Sequence, residues 1–387
     1  MRPSDATRAW QNTDAVRLCN EPAPIVLRGH RVVRCGLLCA FAFVVSLSGA
    51  RGAAGQPARG VDADEYTALI RQYRSGAFQA ATTLLARWRP ERLRDVVRRV
   101  APPTDVDATH AKAAIMLHSD VAILLAALDQ RLSEQHVDAA RKWLRGLSGT
   151  AAATFKDQWH AYAAWPSLVR HDLRQATLAV RQGIGAFPRS TDLQVMQGVL
   201  GELAARSETS DVRGDWRTAL ASDQDQLDRR PITRIERGLA AATVAYQRAL
   251  DLDPSSVSAR LRLGWVLAIN NSHNRARAHL ELVVGVAASA EQRYLAHLIL
   301  GGLAEQDGQP GRALEAYRAA HAVHPRAQTA HIAFMRAAQV AGDAELARRL
   351  FAEYAAAVPW IEDPWWAFSM GLDSDLAVRL RADASQR

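Results

Sequence analysis

Cysteine is nearly missing from this chain: of 387 residues three are Cys, and Cys19, Cys35 and Cys39 all lie in the first 39 positions. A chain cut after that stretch has no thiol, which excludes disulfides, thiolate metal ligands and a Cys nucleophile and makes it indifferent to an oxidising compartment. Lysine is almost as scarce, with Lys112, Lys142 and Lys156 the full set. Aromatics are 6%, while the hydrophobic 49% is dominated by Ala and Leu. With β-branched runs scarce, that composition favours close-packed helices over sheets. The short motifs of common chemistries are missing too: G-x-x-x-x-G-K, H-E-x-x-H, G-x-S-x-G and G-x-G-x-x-G do not occur. Gly183 and Gly185 begin like the last, but Pro188 stands at its third glycine, so they read as the end of a helix.

The formal net charge of +8 is unevenly spread, half of it in residues 1–55, where seven arginines (Arg2, Arg8, Arg17, Arg28, Arg31, Arg34, Arg51) face Asp5, Asp14 and Glu21. Elsewhere Arg alternates with Asp and Glu as on a solvated helix face, with no basic stripe interleaved by stacking aromatics, so nucleic acid is not an expected partner. Arg28, His30, Arg31 and Arg34 precede an apolar run, residues 35–47, followed by Ser48, Gly49 and Ala50. That is the layout of a secretory signal, cleaved after Ala50 or near Gly55. The run is short for a span, which needs roughly 20 apolar residues. Export to the periplasm or cell envelope is therefore expected, with inner-membrane anchoring by an uncleaved segment as the alternative. Neither Cys35 nor Cys39 follows the small residue of a lipoprotein site.

The rest of the chain repeats. Residues Tyr294 to Ala327 carry Leu300-Gly301, then Ala313, Tyr317, Ala320 and Pro325. Thirty-four residues after Ala313, Tyr317 and Pro325 stand Ala347, Phe351 and Pro359. Upstream, Leu263-Gly264 is followed by Ala276 and Leu280, and Ala242, Tyr246, Ala249 and Pro254 form a second helix, as do Ala176, Val180, Gly183 and Pro188. Two helices approach closely where small residues meet, Tyr317 is expected to fill the gap between neighbouring repeats, and proline ends the unit. This pattern resembles the tetratricopeptide repeat family, closely over residues 157–359 and more weakly over 62–150. The expected fold is an all-α, tetratricopeptide-type α-solenoid of antiparallel helix pairs, forming a right-handed superhelix with a C-terminal cap.

The expected organisation is a leader over residues 1–55, a divergent helical region over 56–150, the solenoid over 151–359 and a Trp-rich cap over 360–387. One repeat is split: its first helix, Thr191 to Ala205 with Gly198 at the glycine position, is separated from a second helix beginning near Ile235 by a polar insertion at about 206–233. In the divergent region, the very apolar helix from about Ala111 to Leu132 must be buried on more than one side. Trp360, Trp365, Trp366 and Phe368 form the densest aromatic cluster and read as a cap folded on the 328–359 repeat, followed by a helix from about Ser374.

Histidine placement argues against a catalytic centre or metal. His118, Ser119 and Asp120 are consecutive, and helix neighbours point about 100° apart, so they cannot form a relay with one another. His110 and His118 are about 12 Å apart along a helix. His321, His324 and His331 could approach one another, but read as a solvated helix end. No catalytic residue, cofactor or metal is expected, and the chain reads as a non-enzyme.

The resemblance implies a protein-binding scaffold that holds a protein or peptide segment in a groove of first-helix side chains. Transferred repeat by repeat, the groove positions are Glu202, then Leu261, Trp265 and Ile269, then Leu298 and Glu305, then Ile332, Arg336 and Gln339. Some members of the family read a C-terminal carboxylate through Lys and Asn; here Leu261, Leu298 and Ile332 stand where that Lys would be, so apolar contact is implied. Trp265 is either the main anchor for a partner or core between repeats. An enzyme, or an accessory subunit acting on cell-wall or polysaccharide material, is the alternative from another class.

Overall fold

The computed structural model describes residues 63–86, 88, 90–98, 107–219, 230–287, 289–356 and 363–385. The leader, its apolar run and its cleavage points lie outside the described residues, as does Trp360. All regular structure among the described residues is helical, and consecutive helices pack as pairs. The chain is all-α and tetratricopeptide-like, and no helix among the described residues is long and apolar enough to cross a membrane. Its contacts divide it into two compact units, one running to Pro254 and including Met370–Arg387, the other Ser255–Ser369.

The first unit holds α1 (Ala63–Arg74), α2 (Phe78–Ala86), α3 (Pro90–Arg98), α4 (Ala108–Leu125), α5 (Gln130–Gly146), α6 (Thr150–Tyr162), α7 (Trp165–Val169), α8 (Leu173–Ala186), α9 (Thr191–Ala219) and α10 (Arg230–Leu252). Several helices start where a short polar side chain can accept an otherwise unpaired amide, as Asp107 does from the His110 N–H (2.7 Å) and Asp129 from that of Leu132 (3.0 Å). As its composition demands, α4 is buried almost all round, Ala111 to Ala122 included, but it ends at Leu125 rather than near Leu132, which belongs to α5. Pro166 falls in the first turn of α7, where its missing N–H costs nothing, so α6 stops at Tyr162.

The split repeat differs from expectation. Its first helix does not end near Ala205 but continues to Ala219, and the second starts at Arg230 rather than near Ile235. The polar residues after Ala205 hold one glycine, Gly214, and no proline until Pro231, which falls in the first turn of α10 and is harmless there. Polarity marked these residues as solvated without preventing a helix. Where α9 crosses α10 the backbones nearly touch: a Cβ on Gly201 would lie 2.8 Å from the Gly238 carbonyl oxygen, and one on Gly238 equally close to that of Gly201.

The second unit holds α11 (Val257–Ile269), α12 (His273–Val286), α13 (Ala290–Gln306), α14 (Pro310–Val323), α15 (Gln328–Val340), α16 (Ala344–Ala356) and the short α17 (Pro364–Ser369). The glycine of the Leu-Gly pair acts inside its own helix pair. A Cβ on Gly301 would strike the Tyr317 ring, and one on Gly264 would come within 2.8 Å of Leu280, the residue at the tyrosine's position. Tyr317 therefore fills the pair itself, not the gap to the next repeat. The last helix, α18 (Ser374–Ser385), begins where the sequence placed it but packs in the first unit, on α4, α6 and α1.

Candidate docking site

The first helices of the three pairs in the second unit, α11, α13 and α15, together hold a segment of the chain's own C-terminal part. Asp363 is 1% exposed. Its carboxylate accepts from the Tyr294 hydroxyl on α13 (2.7 Å), from the Thr329 backbone N–H in the first turn of α15 (2.6 Å) and from the Trp365 N–H (3.0 Å). Ala327, at the N-cap of α15, has no side chain to cap with, so one carboxylate caps both α15 and α17. A buried carboxylate with three donors is held firmly. Beyond it, Trp365 meets Trp265 of α11 edge-on, with ring centres 5.2 Å apart, Phe368 lies 6.3 Å from Trp265, and the Arg262 guanidinium sits 3.8 Å over the Phe368 ring. The cap thus touches the 328–359 repeat through Asp363, while its aromatics reach two repeats further back.

The nine groove positions divide. Trp265, Ile269, Ile332 and Arg336 are half-buried and Gln339 is exposed, whereas Leu261 and Leu298 are buried. Glu202, 1% exposed, accepts a hydrogen bond from Tyr246 of its own second helix. Glu305 likewise accepts from Tyr317 (3.1 Å) and pairs with Arg336 (3.1 Å). Each glutamate lies four residues after the glycine that makes room for its tyrosine: Gly198, Glu202 and Tyr246 in one pair, Gly301, Glu305 and Tyr317 in another. Where Leu280 replaces the tyrosine, Ala268 replaces the glutamate. These carboxylates satisfy buried hydroxyls within the pair. Sequence reasoning missed Arg262, Tyr294 and Asp363 as members of the site; an Asp-Pro step opening a short aromatic helix was the available signal.

The first unit keeps its polar groups inside. Asp120 accepts from Tyr162 (2.7 Å), Tyr73 (2.9 Å) and Arg381 of α18 (3.2 Å). Burial, and the Asp120 charge after it, push both tyrosines well above their usual range. Ser119 accepts from the Trp159 indole (2.8 Å). His118 takes a third direction. Its Nδ1 is 3.1 Å from Nδ1 of His136, whose Nε2 is 3.1 Å from the Leu93 carbonyl oxygen, while the Tyr66 hydroxyl is 3.4 Å from His118 Nε2. A carbonyl only accepts, so His136 carries its proton on Nε2 and receives at Nδ1 from His118, which in turn receives from Tyr66. The chain of donors requires both rings neutral. Burial lowers His118 well below its usual value and His136 to about 4. As expected, the three consecutive residues form no relay with one another; each serves a different partner.

His321 of α14 and His331 of α15 do come together, ring centres 5.0 Å apart, and Glu353 of α16 joins them. His331 is 2% exposed, so this helix end is not solvated as expected. His324 packs instead against the edge of Tyr294.

No protein-family model matches the chain, and no curated protein does. Among solved structures, it is similar to PilW, described as a widely conserved type IV pilus biogenesis factor, at 19% identity and a TM-score of 0.33, over 55% of this chain and 98% of that one. Fold alone does not carry function, which rests on this chain's own side chains.

Proposed function

We propose that the chain is a docking scaffold, exported to the periplasm or cell envelope, which takes a short aromatic segment of a partner protein across the first helices of its second unit. The observation that supports this is the occupant already there. Asp363, Trp365 and Phe368 use a buried carboxylate clamp, an aromatic shelf at Trp265 and a cationic lid at Arg262. Buried aromatics and arginine are the side chains that dominate interface energetics. The favoured ligand is accordingly a segment with an acidic residue followed by two aromatics three apart. The basic and apolar leader supports export, and no nucleic-acid role is proposed.

The test releases the occupant and offers it back. In a chain carrying Asp363→Ala, Trp365→Ala and Phe368→Ala, a synthetic peptide of residues 363–370 should bind with micromolar affinity. Adding Trp265→Ala should abolish that binding while the helical circular dichroism signal persists. Failure of the peptide to bind the released, folded chain would overturn the proposal. Should Trp265→Ala instead unfold the chain, Arg262→Gln serves as the second variant, and unchanged peptide affinity there sinks the reading equally.

A further inference from the structure

We propose that His321, His331 and Glu353 form a binding site for a divalent transition-metal ion of the zinc class, which staples α16 to α14 and α15. One ligand atom from each residue lies within 4.8 Å of the other two. Imidazole nitrogen and carboxylate oxygen suit zinc and its neighbours. Two ligands across a tetrahedral zinc stand about 3.4 Å apart, given metal bonds of about 2.0–2.2 Å. Closure therefore needs shifts of about 1.5 Å at most, and Glu353, exposed on α16, has the freedom to supply them.

Hydrogen bonding has already prepared the ligands. His331 donates from Nε2 to the Leu350 carbonyl (2.7 Å), so in the neutral ring Nδ1 carries the lone pair. A backbone carbonyl that fixes the tautomer and orientation of a histidine is the usual outer partner of a metal ligand. His321 Nδ1 is buried without a hydrogen-bond partner. Three protein ligands leave a fourth position for water.

The location gives the site a purpose. The tyrosine position of this last pair is Phe351, which is 61% exposed, and Met335 stands where the earlier pairs have glycine. The buried residues of α16 are Leu346 and Leu350. A metal bound at Glu353 would hold the last turn of the helix whose packing is thinnest.

Titration of the untagged full chain with Co2+ alone should show one equivalent with visible d–d absorption, displaced by Zn2+. His321→Gln and Glu353→Gln, neither fully buried, should each raise Kd by roughly 100-fold or more, since even outer-shell losses cost about 10- to 100-fold. Zinc in large excess over Kd should raise Tm by roughly 5 °C or more, and slow amide exchange within 344–356 most. Absence of the first equivalent, or its survival in the folded double variant as adventitious surface binding, overturns the site. Slowed exchange elsewhere but not in 344–356 overturns the staple.

Discussion

The pair α13/α14 and the pair α15/α16 are successive units of one repeat, yet they solve the same packing problem differently. In the first, Gly301 opens a slot, Tyr317 fills it and Glu305 accepts the hydroxyl. In the second, Met335 stands in place of the glycine, Gln339 replaces the glutamate and Phe351 lies on the surface. Three positions thus differ together between these two pairs, and the aromatic that is buried in the first is exposed in the second. Both units also hold buried carboxylate and imidazole, Asp120 and His118 in the first and Asp363 and His331 in the second.

The largest effect is expected where that polar interior is broken. Asp120→Ala removes the acceptor for Tyr73, Tyr162 and Arg381 at once and leaves a largely enclosed guanidinium unpaired. Loss of one partner of a buried pair costs about 3–5 kcal/mol, and the lower end applies because Arg381 is partly exposed. Urea unfolding should show a loss of about 3 kcal/mol and release of α18 before the rest; Arg379, paired with Asp192 (2.6 Å) at a more exposed site, should tolerate Ala far better.

Next comes acid. His118 and His136 are depressed from an ordinary 6.5, His136 to about 4. The unfolded chain takes up protons below 6.5 while the folded one does not until well below it, near 4 at His136, so the stability they contribute is present above 6.5 and is lost as pH falls below it. Protonating His136 also sets N–H against N–H where Nδ1 now meets Nδ1, and protonating His118 places an N–H at Nε2, where it now accepts from Tyr66. Chemical denaturation between pH 7 and 4 should show this loss, and His136→Gln, which can still donate to Leu93, should flatten it. A flat wild-type profile would show that the rings are not held neutral.

Gly301→Ala probes the regular pair. Its Cβ would enter the Tyr317 ring, and overpacking typically costs about 1–3 kcal/mol, so a loss of about 2 kcal/mol is expected. Met335→Ala, at the same position of the next pair, meets no such ring and should cost less than Gly301→Ala.

What could be read in advance follows from range. The helix pairs were legible because Gly, Ala, Tyr and Pro recur at spacings of a few residues to one repeat, and the burial of α4 was legible from the apolar run over residues 121–128. The carboxylate of Asp363 reaching Tyr294 and Thr329, and that of Asp120 reaching Arg381, join residues far apart in the chain with no periodic mark. Glu353 escaped notice for the same reason, because its histidine partners stand on two other helices. Glu202 and Glu305 were assigned by analogy to a groove; each accepts from a tyrosine on the second helix of its own pair, 12 residues on for Glu305 but 44 for Glu202, where the insertion hid the spacing.

The smallest effect is the sharpest test of the comparison. Phe351 occupies the repeat position of Tyr317, and a reading by register alone would assign both the same burial, with a core aromatic truncated to Ala losing about 3–5 kcal/mol. Phe351 instead lies on the surface of α16, where substitutions away from caps and buried networks stay within about 0.5 kcal/mol. Phe351→Ala should therefore leave the urea midpoint almost unchanged in the metal-free chain, while Tyr317→Ala should shift it strongly and leave Glu305 with Arg336 as its remaining partner of the two. Equal losses at the two positions would mean that α16 packs as α14 does.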